Sequence, residues 1–303
     1  MPSVQFYAFF PIALASRFLM ARVADRGVKS MVSTVRTIGR ISEPLTRVPR
    51  GVEIMPGSIR NVGGSWVVPD GAPEAPVILY LHGGAFVTPL GAPFRMVAAH
   101  LGLAAGLRVF VPDYRILPEH VYPAAHEDCF AVYCDLVESE RRPVVVGDST
   151  GGVLALATLL RARHAQLPQP TICVLLSPTV DYGFRDVGFL RAKDPFVHPQ
   201  FVLVGHAGYV NGNDPSLPDL APVDQDLRGL APIHVLVGER EILRTEVDRL
   251  EQAARAQGVT VQVETWPQMW HGWYVMADRL PEGRQALKQA GALIRASAAA
   301  RPA

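Results

Sequence analysis

The chain has 303 residues, 49% of them apolar and 19% charged, which is room for one large α/β domain or two modest ones with a sizeable core. A net charge of +1, with no Lys/Arg run and no basic–aromatic interleave, gives no electrostatic case for nucleic acid or acidic partners. Cys129, Cys134 and Cys173 are odd in number and lack metal-ligand spacing, so they read as core thiols of a reducing, cytoplasmic compartment.

In chain order, residues 4–20 (VQFYAFFPIALASRFLM) are apolar but interrupted by Pro11 and Arg17, with no basic residue before them. A signal peptide wants a positive start and a small-residue cleavage site, and a membrane span wants about 20 uninterrupted apolar residues. The expectation is an amphipathic segment packed over the protein's own pocket, with membrane contact through residues 4–20 as the rival reading. Residues 21–50 read as one or two helices and a linker ending near Pro44 and Pro49. Strands are expected at 65–69, 77–81, 109–111, 144–146, 172–176, 233–237 and 259–266, and helices at 94–105, 124–139 and 151–164. Such alternation predicts a mostly parallel sheet with helices on both faces. It breaks from about Gly183 to Ala221, a stretch rich in Pro, Gly, Asp and aromatics with one helix near 198–210, too long for an ordinary loop. The predicted organisation is therefore an N-terminal cap segment over 1–50, a core in two parts over 51–182 and 221–303, and a cap insertion over 183–220. The Ala-rich tail at 296–303 is expected to fray.

Chemistry concentrates at Gly147-Asp148-Ser149-Thr150-Gly151, a G-x-S-x-G pattern between a valine strand and an Ala/Leu-rich helix. Glycines on either side permit the sharp reversal that exposes Ser149, and the helix N-terminus lies beneath it. A serine nucleophile needs a base, a group to orient it and an oxyanion hole. For the last, His82-Gly83-Gly84-Ala85-Phe86 follows a buried strand, so the N–H groups of Gly83, Gly84 and Ala85, with that of Thr150, are candidate donors. His271, in a loop after the last strand and followed by Gly272, is the candidate base. Glu239 and Glu241, after the strand at 233–237, are both candidate acids, and residue pattern alone does not separate them. Phe86, Phe196 and Trp270, with Phe189 and Trp273, are candidate pocket residues.

With Asp113-Tyr114-Arg115-Ile116-Leu117-Pro118-Glu119-His120, Pro123-Ala124-Ala125 and Asp128, these motifs resemble the hormone-sensitive lipase family of α/β-hydrolases over roughly residues 60–280. The resemblance implies an α/β-hydrolase fold with a helical cap and a carboxylic ester hydrolase with no metal or cofactor. It favours Glu241, which stands two residues before Leu243, over Glu239, Asp224, Asp226 and Asp248, although most members carry aspartate there. It implies that Asp113, Tyr114 and Arg115 brace the oxyanion loop, and dimers are common among similar proteins. Two departures stand out: Ala85 where a third glycine is usual, and Thr150 where alanine is usual. The resulting reading is a Ser149–His271–Glu241 esterase for short- to medium-chain esters. A lactone or other specialised ester hydrolase, and a non-catalytic small-molecule receptor, are the alternatives.

Overall fold

The computed structural model describes residues 2–139, 141, 143–183 and 188–299. Residues 184–187 of the expected cap insertion and 300–303 of the expected tail lie outside the described residues. Val52–Ile59 (β1) and Val62–Pro69 (β2) form an antiparallel hairpin, turned by Arg60 and Asn61 at φ 49° and 65°. Two central residues at positive φ match the right-handed twist of the strands they join. The strand expected at 65–69 thus begins earlier, and its partner β1 was not anticipated, because Pro56 and Gly57 hide its strand pattern. The inner strands are runs of Val, Ile and Leu, a composition suited to a ribbon covered on both faces: Val77–Leu81 (β3), Arg108–Pro112 (β4), Val144–Asp148 (β5), Cys173–Leu176 (β6), Ile233–Gly238 (β7) and Val261–Trp266 (β8). The sheet order is β1-β2-β4-β3-β5-β6-β7-β8, antiparallel where β2 meets β1 and β4 and parallel elsewhere.

Side chains alternate along each strand and so divide the core in two. Leu79, Leu81, Val145, Leu175 and Val235 face the helices Ala124–Glu138 (after Val4–Ala24, Val28–Ser42 and Ala92–Ala105, numbered α1 to α3, this is α4) and Thr150–His164 (α5). Ile78, Tyr80, Val146, Val174 and Leu236 face α3 and the C-terminal helix. The remaining helices are Gly188–Arg191 (α6), Pro199–Val210 (α7), Arg244–Ala256 (α8) and Pro281–Ala299 (α9). Burying each such Leu or Ile contributes about 1.5–3 kcal/mol, so Leu79→Ala would cost about 2–5 kcal/mol. α9, anchored by buried Leu287, Ala290 and Ile294 and by Gly291 against Ala104 of α3, runs into the stretch expected to fray as far as Ala299. The three cysteines are unbridged.

Pro11 lies inside α1 without ending it. Pro11 and Tyr7, whose carbonyl loses its helical partner, are both exposed, so water can take that bond. From residues 4–20 only Met20 reaches the cavity described below, and α2 contributes Val35 and Ile38. This corrects the expectation that the apolar stretch itself covers the pocket: most of its apolar side chains point outward.

Candidate active site

β5 and α5 meet at an elbow whose backbone is too close for side chains. A Cβ on Gly151 would lie 1.9 Å from the Leu81 carbonyl oxygen, and one on Gly147 would lie 2.4 Å from that of Gly151. The sequence therefore needs glycine at both positions, and Ser149 between them takes φ 49°, ψ −120°, a strained conformation for a residue with a side chain. The Ser149 N–H donates to Leu176 O (2.9 Å), and its carbonyl accepts from Gly152 and Thr179, so the strain is held by the ends of β5 and β6.

His271, in the loop after β8, brings Nε2 to 2.9 Å from Ser149 Oγ. Its Nδ1 lies 3.8 Å from Glu241 Oε1, an ion-pair separation rather than a hydrogen bond. A closure of roughly 0.6 Å would make the bond, the kind of tightening expected when substrate arrives. Glu241 is buried and fixed at its other oxygen, where Oε2 accepts from Ser177 Oγ (2.6 Å) and Gly238 N (2.8 Å). Burial lowers the His271 pKa, but the Glu241 carboxylate, and Asp194 and Asp148 behind it, more than reverse this, leaving it raised above 6.5. Burial pushes Asp148, next to Ser149, up to about 7. Glu239 instead accepts from Gln268 N at the surface, so of the two candidate acids only Glu241 faces His271.

Asp194 was not singled out in the sequence. It is fully buried, and its Oδ2 accepts from the backbone N–H groups of His271 (2.8 Å) and Ile242 (3.0 Å), while Oδ1 accepts from Phe196 (2.7 Å) and Val197 (3.0 Å). One carboxylate therefore joins the 194–197 segment to the loops of Ile242 and His271. Its only sequence signal is an Asp-Pro-Phe turn, which does not reveal partners so far along the chain.

The candidate oxyanion loop runs through Gly84, Ala85 and Phe86 at φ 113°, 51° and 57°. His82 stacks between Phe94 and Tyr114 (centroids 4.6 and 4.4 Å), and the Tyr114 hydroxyl donates to His82 O (2.6 Å). Burial holds His82 down to about 4, so it is neutral. Arg115 clamps Asp128 through Nε (3.0 Å) and Nη2 (2.8 Å), whereas the Asp113 side chain is exposed. The Ala85 N–H is donated to Thr150 Oγ1 (3.0 Å), which also lies 3.1 Å from His206 Nε2 on α7. This corrects the expectation of Ala85 as an open donor: the hydroxyl that replaces alanine's methyl at 150 takes the bond. Gly83 lies against Ser149 and Asp148, where an added Cβ would come within 2.8 Å of Ser149 Cβ and 2.9 Å of Asp148 Oδ1. The N–H groups of Gly83, Gly84 and Thr150 are left as the candidate donors.

A cavity of about 640 Å³ opens over Ser149 and His271, walled by Met20, Val35, Phe196, Phe201, Val202 and Val275. Phe196 is thus at the cavity. Phe86 is not: its ring is buried against Tyr209 (3.6 Å) beneath α7. Nor is Trp270, which α1 covers through Phe6 (5.2 Å). Phe189 packs with Ile242 and Leu243, and Trp273 lies against Trp266, so neither lines the cavity. The arrangement can activate an alcohol, hold an oxyanion and seat an apolar group.

Comparison with known proteins agrees with this geometry. A family model described as alpha/beta hydrolase fold matches residues 78–275. An acetyl-hydrolase of Streptomyces hygroscopicus is 36% identical over 250 residues, covering 80% of this chain and 83% of that protein. A putative acetyl-hydrolase, LipR, of Mycobacterium tuberculosis is 33% identical over 254 residues, covering 82% of each. The crystal structure of an esterase from the bacterial hormone-sensitive lipase family superposes with a TM-score of 0.82 at 32% identity, covering 91% of this chain and 98% of that one.

Proposed function

Because the chain belongs to the hormone-sensitive lipase family of α/β-hydrolases and is a carboxylic ester hydrolase, we propose that it cleaves short- to medium-chain esters with Ser149, His271 and Glu241. His271 Nε2 accepts the Ser149 hydroxyl proton as Oγ attacks the ester carbonyl carbon. Negative charge grows on the carbonyl oxygen and is met by the Gly83, Gly84 and Thr150 N–H groups, each such donor being worth roughly 100- to 1000-fold in turnover. The tetrahedral intermediate collapses, the bond to the alcohol oxygen breaks, and the Nε2 proton passes to that oxygen. Water then gives a proton to Nε2 and attacks the acyl carbon, and the carboxylic acid leaves as Ser149 recovers its proton. Glu241 fixes the imidazole tautomer and stabilises the imidazolium between steps.

The observation carrying this reading is the 2.9 Å approach of Nε2 to the hydroxyl of a strained serine. Relatives named acetyl-hydrolases favour a short acyl end, and the apolar 640 Å³ cavity supports a range that extends to longer chains. We read residues 1–50 and 183–220 as the cap of this site, with Phe196 as its contribution to substrate binding. Ser149→Ala should abolish hydrolysis of p-nitrophenyl acetate and butyrate and labelling by a fluorophosphonate, with the circular dichroism spectrum unchanged. Residual wild-type turnover in that variant would remove Ser149 as nucleophile.

A further inference from the structure

The outer half of α1 is inverted relative to an ordinary surface helix. Its exposed positions from 4 to 19 carry no charge, and Val4, Tyr7, Ile12, Leu14, Phe18 and Leu19 face outward, Tyr7 63% and Phe18 61% exposed. The single charge in this stretch, Arg17, turns inward and donates to the carbonyls of Asp194 (2.7 Å) and Val197 (2.6 Å). Ile38, Ile41 and Leu45 extend the apolar surface along α2 and beyond. A surface helix normally keeps its polar side outward, and an exposed apolar face of this extent marks a contact site.

Charge identifies the kind of surface it meets. Residues 1–50 hold eight basic and two acidic residues, a net of +6 in a chain whose total is +1. Among the described residues, Arg22, Arg26, Lys29, Arg40, Arg47 and Arg50 are exposed and have no carboxylate within ion-pair distance. A second copy docked here about a two-fold axis would set this excess against itself. We propose that α1 and the basic residues that follow it seat the protein on an anionic lipid surface, with the outer half of α1 lying in the headgroup–acyl boundary.

α1 is long and apolar enough to span a bilayer by length and composition. Its inner side, however, is committed to the domain. Phe6 packs on Trp270, and Ser3 N–H and Oγ donate to the Glu282 carboxylate (2.6 and 2.9 Å). Lying in the interface keeps these contacts, and spanning would strip them. The cavity is lined by Met20 of α1 and by Ile38 and Arg40 of α2, so apolar molecules held in the lipid would sit near it. The inference holds whether or not the bound molecule is an ester.

The test is flotation of full-length Ser149→Ala protein with phosphatidylcholine vesicles, with and without phosphatidylglycerol, so that binding is read without turnover. The protein should float with the phosphatidylglycerol vesicles, and less so as salt rises. Replacing Leu14 and Phe18 with Glu should weaken binding by about tenfold or more. Replacing Arg22, Arg26 and Lys29 with Gln should weaken it on the order of 100-fold. The same surface changes in the Ser149 background should leave hydrolysis of a soluble acetate ester unaltered, which verifies folding. No flotation, or equal flotation with neutral vesicles, overturns the proposal. A dimer in light scattering that Phe18→Glu splits without lipid also overturns it, assigning the face to a second copy.

Discussion

Substituting Asp194 with Asn removes one charge and reverses one hydrogen-bonding atom at the point where three loops meet. All four partners of this carboxylate are backbone N–H donors, two at each oxygen. Whichever way the amide turns, its NH₂ faces two of them, so two charge-assisted bonds of about 1.5–3 kcal/mol each are lost. Part is recovered because a buried charge disappears: burial pushes the Asp194 carboxyl above its ordinary value, opposed by His271 and by these N–H bonds. The net is about 2 kcal/mol, or about 3 °C in Tm for a chain of this length. The larger effect falls on turnover, since loosening the loops of Ile242 and His271 by on the order of 1 Å should cost about 100-fold in kcat. The field changes as well. Asp194 is one of the carboxylates that raise the His271 pKa, so its loss lowers that pKa and moves the acid limb of kcat/KM to lower pH. Differential scanning calorimetry and a pH–rate profile with p-nitrophenyl acetate give both readouts. An Asp194→Asn enzyme with unchanged kcat and an unmoved acid limb would refute the argument that this residue holds the base in place.

Other predictions follow from the same geometry. His271 serves as base only when neutral, and its pKa is raised above 6.5; activity should therefore fall as pH drops through a midpoint above that value, and a midpoint below it would contradict the Glu241 pairing. Glu241→Gln should lower kcat by about 10³- to 10⁴-fold, as expected when the orienting carboxylate is lost, and near-normal turnover would remove Glu241 from the triad. In Gly205→Ala the new Cβ would lie 2.5 Å from the Ala85 carbonyl oxygen. That should push α7 off the oxyanion loop and cut kcat by about tenfold or more, and wild-type kinetics would show that the seat does not matter.

What could be read from sequence was short-range. The valine run at 144–146, the glycines at 147 and 151 and the alternating strands and helices each follow from residues close in the chain, and they located the sheet and the serine. Asp194 could not be read this way, because its partners Ile242 and His271 lie 48 and 77 residues away. The same holds for Ser177, 64 residues from the glutamate it supports. Phe86 and Trp270 were misread for a related reason. Each adjoins a motif residue, but the side to which an aromatic ring turns depends on what packs above it, here Tyr209 and Phe6. Thr150 was recognised as unusual, yet nothing local indicated that its hydroxyl would take up the Ala85 N–H.

The seam between α7 and the loop of Ala85 and Phe86 ties this helix to the site. Gly205 rests on Ala85, Tyr209 stacks on Phe86, and His206 meets the hydroxyl that holds Ala85. Lifting α7 would break the contacts that hold Ala85 and Phe86 in place. Ile38 and Arg40 on α2 and Pro93 at the start of α3 line the same cavity. Changes at Ile38 or Arg40, far from the serine in sequence, would then alter which substrates fit while leaving the bond-breaking step alone.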